Sequence, residues 1–205
     1  METGRLEAFS DGVFAIATTL LVLEIAVPHL EEPGELGQAL LDLWPSYLAY
    51  ATSFLTIGIM WVNHHTVFRQ LREADFRFLY LNLGLLMLIA FVPFPTVLLA
   101  DYAWGGNGRE AAITYGVTMT ITALLFNALW RYAATGRRLL RPDADPREVN
   151  GISRAYLPGP FMYGATTLVA LASPETSAAL YLAIAVFYML SSSVFGDEAA
   201  IHPAE

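Results

Sequence analysis

The chain contains no cysteine and no lysine, and only 15% of its 205 residues are charged. Without cysteine there can be no disulfide, thiolate metal site or thiol nucleophile. The scarcity of charge, beside 56% hydrophobic residues, leaves too little polar surface for an ordinary soluble domain and points to a membrane protein. All eleven basic residues are arginine, and nineteen carboxylates outnumber them, for a net charge of -8. Nucleic acid, whose phosphates need a basic surface, is excluded as a partner. The motifs GxSxG, the P-loop and HExxH are absent, as are paired carboxylates within an apolar run, so no enzyme and no cofactor are expected. His64 and His65 are adjacent, and adjacent side chains on a helix point about 100° apart, which suits two ligands of one metal poorly.

What the chain does have is apolar runs of bilayer length, since about 20 apolar helical residues cross the hydrocarbon core. Six spans are expected, at about 8–27, 44–65, 77–100, 111–133, 155–173 and 177–195, in one all-α integral membrane domain covering 1–205. Pro28 closes the first and Trp44-Pro45 opens the second. The first run is expected to be a retained span rather than a secretory leader, because Glu2, Glu7 and Asp11 stand where a basic segment belongs. The segment RPDADPREVNG, 141–151, reads as a turn-rich linker. Arginine sets the orientation: ten of the eleven fall before span one, between spans two and three, or between spans four and five, and only Arg109 lies on the other side. Basic loops stay cytoplasmic, so both termini are expected inside the cell membrane, with anionic lipid headgroups near the arginines. The outer loops keep Glu31, Glu32, Glu35, Asp101, Glu110 and Glu175.

This topology brings Ser10 and Asp11 to the depth of Asn63, His64 and His65, with Asn82 and Asn127 in the same inner layer. Polar side chains at that depth turn toward other helices, because an unpaired polar group in hydrocarbon costs several kcal/mol. The layer is expected to be one network. It reads either as a proton relay or ion site built on Asp11 and the histidines, or as a hydrogen-bonded clamp holding helices one to three, and the clamp is preferred.

Along the first span, Arg5, Ala8, Gly12, Ile16, Thr19 and Leu23 share one stripe at 100° per residue. Small residues at Ala8 and Gly12 suit a plain helix interface. Alternatively, copies of the stripe from several subunits face a common axis, where Ile16 and Leu23 form a hydrophobic constriction and Thr19 a ring of hydroxyls. Glu24 and Glu31 are candidates for concentrating cations at the mouth.

RLEAFSDGVFAIATTLLVLEI, with RxxxFSD at Arg5, Phe9, Ser10 and Asp11, is followed by WVNHHTVF at 61–68 and FLYLNLGLLMLIAFVPFPT at 78–96. Together these resemble the transmembrane protein 175 family of potassium channels over residues 5 to about 96. The resemblance implies a potassium-permeable channel without the TVGYG filter, lined by its first helix. Animal members carry two six-helix repeats and work as dimers. One repeat, as here, implies a homotetramer of the bacterial type. It further implies that Ile16, Thr19 and Leu23 line the constriction, and that Arg5, Phe9, Ser10 and Asp11 join Trp61, His64 and His65 in the network holding the pore helix. Two other readings stand beside it: a proton-coupled secondary transporter using Asp11 and His64 or His65, and a membrane scaffold with no flux at all.

Overall fold

The computed structural model describes residues 3–29 and 34–198, with side chains through Leu190. Among the described residues nine α-helices run in order: α1 (Gly4–Leu20), α2 (Leu36–Asp42), α3 (Trp44–Gln70), α4 (Phe76–Phe91), α5 (Pro93–Tyr102), α6 (Gly108–Ala134), α7 (Pro146–Tyr156), α8 (Pro158–Val169) and α9 (Pro174–Glu198). Three stretches of the described residues are long and apolar enough to cross a bilayer: Gly4–Glu24, Phe76–Tyr102 and Gly108–Arg137. Helix α3 equals α6 in length but carries Asn63, His64, His65 and Arg69 toward one end.

Proline sets most of the breaks. Its missing N–H and its clash with the preceding turn are tolerated only where a helix begins, and α3, α5, α7 and α8 all have proline in their first turn. At Pro93 the long apolar stretch divides into α4 and α5. The hydroxyl of Thr96 then donates to the Val92 carbonyl at 2.8 Å. That hydrogen is committed, so Thr96 accepts from Ser53 at 2.7 Å, and Ser53 in turn accepts from the Tyr115 hydroxyl at 3.1 Å. All three side chains are buried, and they tie α3, α5 and α6 together.

Helix α6 occupies the centre, against α4, α5, α8 and α9, while α1 lies at one edge on α3 and α4. Close contact in the centre demands glycine at 116, where a β-carbon would come within 2.0 Å of the Tyr181 hydroxyl and 2.1 Å of Thr167 Oγ1. On one side of the bundle, two connections are stitched to each other. Arg72 N donates to Leu139 O and Arg141 N to Gln70 O, both at 2.9 Å, over the buried Leu71, Leu139 and Leu140.

Three local expectations are corrected. The first helix tightens into a 3₁₀ turn at Leu21–Glu24 and gives way to extended backbone at Ile25, before Pro28 is reached. The linker 141–151 is helical from Pro146 onward, because Asp145 caps the helix by accepting from Arg147 N at 2.8 Å. Asn127 does not join the inner polar layer: its amide donates to Ala123 O at 3.0 Å and to Tyr156 O at 2.8 Å, fixing α7 to α6 instead.

Candidate functional site

Helix α1 is divided lengthwise. Ser10, Phe14, Ala17 and Leu21, spaced 4, 3 and 4, are buried against the rest of the subunit. The stripe Arg5, Ala8, Gly12, Ile16, Thr19 and Leu23 is exposed at every position, with Ile16 at 61% and Leu23 at 73%. A β-carbon at Gly12 would meet nothing within 4 Å. Such an apolar strip left open along a membrane helix is available to another copy of the chain or to a pathway.

The hydroxyl of Thr19 lies 3.0 Å from Ala15 O and 2.9 Å from Ile16 O, so its proton is spent on its own backbone. Its oxygen lone pairs are left to face outward on the stripe. Rings of such oxygens can replace part of a cation's hydration shell.

The polar side of α1 is held by three sets of contacts. Asp11 Oδ1 accepts from Trp61 Nε1 at 2.9 Å, rather than from either histidine as the topology suggested. His65 Nδ1 pairs with Glu7 Oε1 at 3.0 Å. The third set is buried, and its proton directions follow from its end point. The Leu6 carbonyl can only accept, so Ser10 Oγ donates to it at 2.8 Å. Ser10 must therefore accept from Asn82 Nδ2 at 3.0 Å, which leaves Asn82 Oδ1 to accept from His64 Nε2 at 2.9 Å. His64 thus carries a proton on Nε2, with its ring stacked on Phe68 and tilted against Phe14. Its Nδ1 finds no hydrogen-bond partner among the described residues.

Asp11 and His64 share no hydrogen bond among the described residues; each is committed to a different partner. Arg5 and Phe9, grouped with the network from the sequence, are exposed within the subunit and make no polar contact among those residues; Phe9 is 58% exposed. Arg5 is the first residue of the exposed stripe, and Phe9, one turn further on, stands beside it. Glu24 is exposed at the end of the 3₁₀ turn, and Glu31 lies outside the described residues.

The profile of the family described as the endosomal/lysosomal potassium channel TMEM175 matches residues 5–93, the part of the chain that holds both the stripe and the polar contacts. A potassium channel of Chamaesiphon minutus is 48% identical over 194 residues, covering 94% of this chain and 96% of that one. The chain belongs to the TMEM175 family.

A potassium channel of Streptomyces collinus is a further TMEM175 relative, 43% identical over 188 residues and 91% of each chain. The crystal structure of a lysosomal potassium-selective channel TMEM175 homolog from C. minutus superimposes with a TM-score of 0.85 at 46% identity, covering 93% of this chain and 98% of that one. As a TMEM175 chain with several bilayer-length apolar helices, this is a multi-pass membrane protein. Two residues of its α1 anchorage escaped the reading of site residues from sequence. Glu7, which in the sequence only argues against a secretory leader, stands three residues before Ser10 and four before Asp11, on the face turned to α3. Asn82 was placed at the right depth without a partner.

Proposed function

We propose that this TMEM175 chain is a potassium channel that conducts passively along the axis of a homotetramer, with α1 of each subunit lining the pore. Ile16 and Leu23 form the hydrophobic constriction and Thr19 contributes a ring of oxygens. The observation that carries this reading is the division of α1, in which one face is buried on α3 and α4 while the stripe from Arg5 to Leu23 is exposed throughout. The potassium channels named above, similar over nine-tenths of the chain, support the choice of ion.

Each subunit contributes six spans: α1, α3, α4 continued by α5, α6, α8 with the end of α7, and α9. The arginine bias supports cytoplasmic termini. Trp61, His64, His65, Glu7, Ser10, Asp11 and Asn82 hold α1 in place, and Arg5 and Phe9 lie on or near the pore side at its inner end. In this reading the polar layer is a clamp and takes no part in conduction.

Potassium flux from loaded liposomes tests the proposal. The purified chain should release potassium down its gradient with no imposed pH difference, and Thr19→Ala or Leu23→Ala should change conductance or the preference for potassium over sodium. Flux strictly dependent on a proton gradient, or an unchanged preference and conductance in both variants, would overturn it.

A further inference from the structure

A crevice of about 60 Å³ opens between α3, α6, α7, α8 and α9, across the bundle from α1. By the volume a single water needs, it holds roughly four water-sized spheres, enough for a short length of hydrocarbon chain. Its middle is apolar and aromatic, with Met60, Phe126 and Tyr163 among the lining residues. Its end toward the arginine-rich side is different. There Asn63 and Asn127 face it. The Asn127 amide has spent both N–H groups on Ala123 O and Tyr156 O, leaving its Oδ1 open, and the Asn63 amide bonds to no other described residue.

Two unpaired arginines stand beyond the amides. Arg131 follows Asn127 by four residues on the same face of α6, about 6 Å nearer the membrane surface at 1.5 Å per residue. Arg154 precedes Ala155, which lines the crevice, on α7. Both are exposed, and neither guanidinium has an ionic or hydrogen-bonding partner among the described residues. The neighbouring Arg137 and Arg141 are committed to Ala144 O and Asp143. Helix α7 has already turned Val149, Ile152, Ser153 and Tyr156 inward, so Arg147, Asn150 and Arg154 are left on its outer face.

From outside inward the crevice therefore offers the Arg131 guanidinium with that of Arg154 at the rim beside Ala155, then the free amides about one turn below Arg131, then an apolar slot. A phospholipid presents phosphate, then glycerol ester, then acyl chain, in the same order and at similar spacing. We infer that this crevice binds one anionic phospholipid of the arginine-side leaflet, its phosphate on Arg131 and Arg154, an ester carbonyl on the Asn63 amide, and the start of an acyl chain against Met60 and Phe126. Arginine suits this position because its aliphatic stem lies along apolar surface while its fork takes two phosphate oxygens. The site is separate from the α1 stripe, and the inference rests only on the chain lying in a bilayer.

The full-length protein in nanodiscs is exposed to phosphatidylglycerol carrying a photoreactive diazirine in one acyl chain, and to the same probe with a phosphatidylcholine headgroup. Peptide mapping should find the phosphatidylglycerol label on Met60, Phe126 or a neighbouring lining residue at least fivefold above the phosphatidylcholine label. Arg131→Gln with Arg154→Gln should remove that preference. Ala155→Trp, at an exposed position on the rim, should block labelling by both probes while the protein keeps its thermal unfolding temperature. Equal labelling by the two headgroups in the unaltered protein, labelling that Ala155→Trp leaves unchanged, or a crevice unlabelled because a neighbouring copy fills it, overturns the inference.

Discussion

Asn82 donates its side-chain amide to the hydroxyl of Ser10 at 3.0 Å, with both residues fully buried, and so joins α4 to α1 at the level of Ala8 and Gly12 on the open stripe. The same amide accepts from His64 Nε2 of α3, so one side chain links α1, α3 and α4.

Replacing Asn82 by leucine should strand two polar groups at once, the Ser10 acceptor and the His64 donor. An unsatisfied buried group costs about 1–3 kcal/mol, moderated in membrane bundles where alternative partners are found. Thermal unfolding of the purified protein should fall by several degrees, and Ser10→Ala combined with Asn82→Leu should cost less than the sum of the two. Strict additivity would show that the two residues are not coupled.

Asp75 predicts an acid sensitivity. It caps α4 by accepting from Phe78 N at 2.9 Å, and its other oxygen accepts from the Tyr132 hydroxyl at 2.6 Å, with Arg138 at 3.6 Å. The Tyr132 hydrogen bond, followed by that from Phe78, holds its carboxyl below the usual carboxylate range. A lowered folded-state value means that the stabilisation is complete above the unfolded value of about 4 and is lost as pH falls through the folded one. The unfolding temperature should therefore drop on acidification below about pH 4, by less in Asp75→Asn. That variant should be less stable near neutrality, by about 1 kcal/mol, because an amide has one acceptor oxygen where the carboxylate uses two, for Phe78 N and the Tyr132 hydroxyl. An identical pH profile in both proteins would remove Asp75 from this role.

Two glycines should respond in opposite ways. Gly116→Ala drives a β-carbon into Tyr181 and Thr167 and should lower the unfolding temperature markedly or prevent folding. Gly12→Ala meets open space within the subunit, so the fold should tolerate it, while four added methyl groups around a pore axis should reduce potassium conductance. The comparison is read from folded yield and liposome flux together. Normal flux in a well-folded Gly12→Ala protein would argue that Gly12 does not face the pathway.

Much of the fold was legible because hydrocarbon-length runs and prolines leave strong marks. The helical stripe on α1 could be drawn from a 3.6-residue period, and it lies wholly on the exposed side of that helix. Partners were less legible. Depth alone placed Asp11 with the histidines, yet rotation about α3 decides the match: Trp61 and His65, four residues apart, share one face and take Asp11 and Glu7, while His64 turns inward to Asn82. Asn127 has the depth of the polar layer but faces away from α1, toward α7. Helix α7 was hidden because Asp and Pro read equally as a turn or as a cap followed by a first helical residue, and only the amphipathic spacing after Pro146 separates the two.

The central claim is that the stripe on α1 faces the ion pathway, and the absence of native cysteine makes a direct test possible. Single cysteines are placed at Ile16, Thr19 and Leu23, and at Phe14, Ala17 and Leu21 on the opposite face, and potassium flux is followed after a charged, water-soluble thiol reagent is added. Block at 16, 19 and 23 with no effect at 14, 17 and 21 is the predicted result. Block confined to 14, 17 and 21, or absent at all three stripe positions in protein that conducts, would contradict the account.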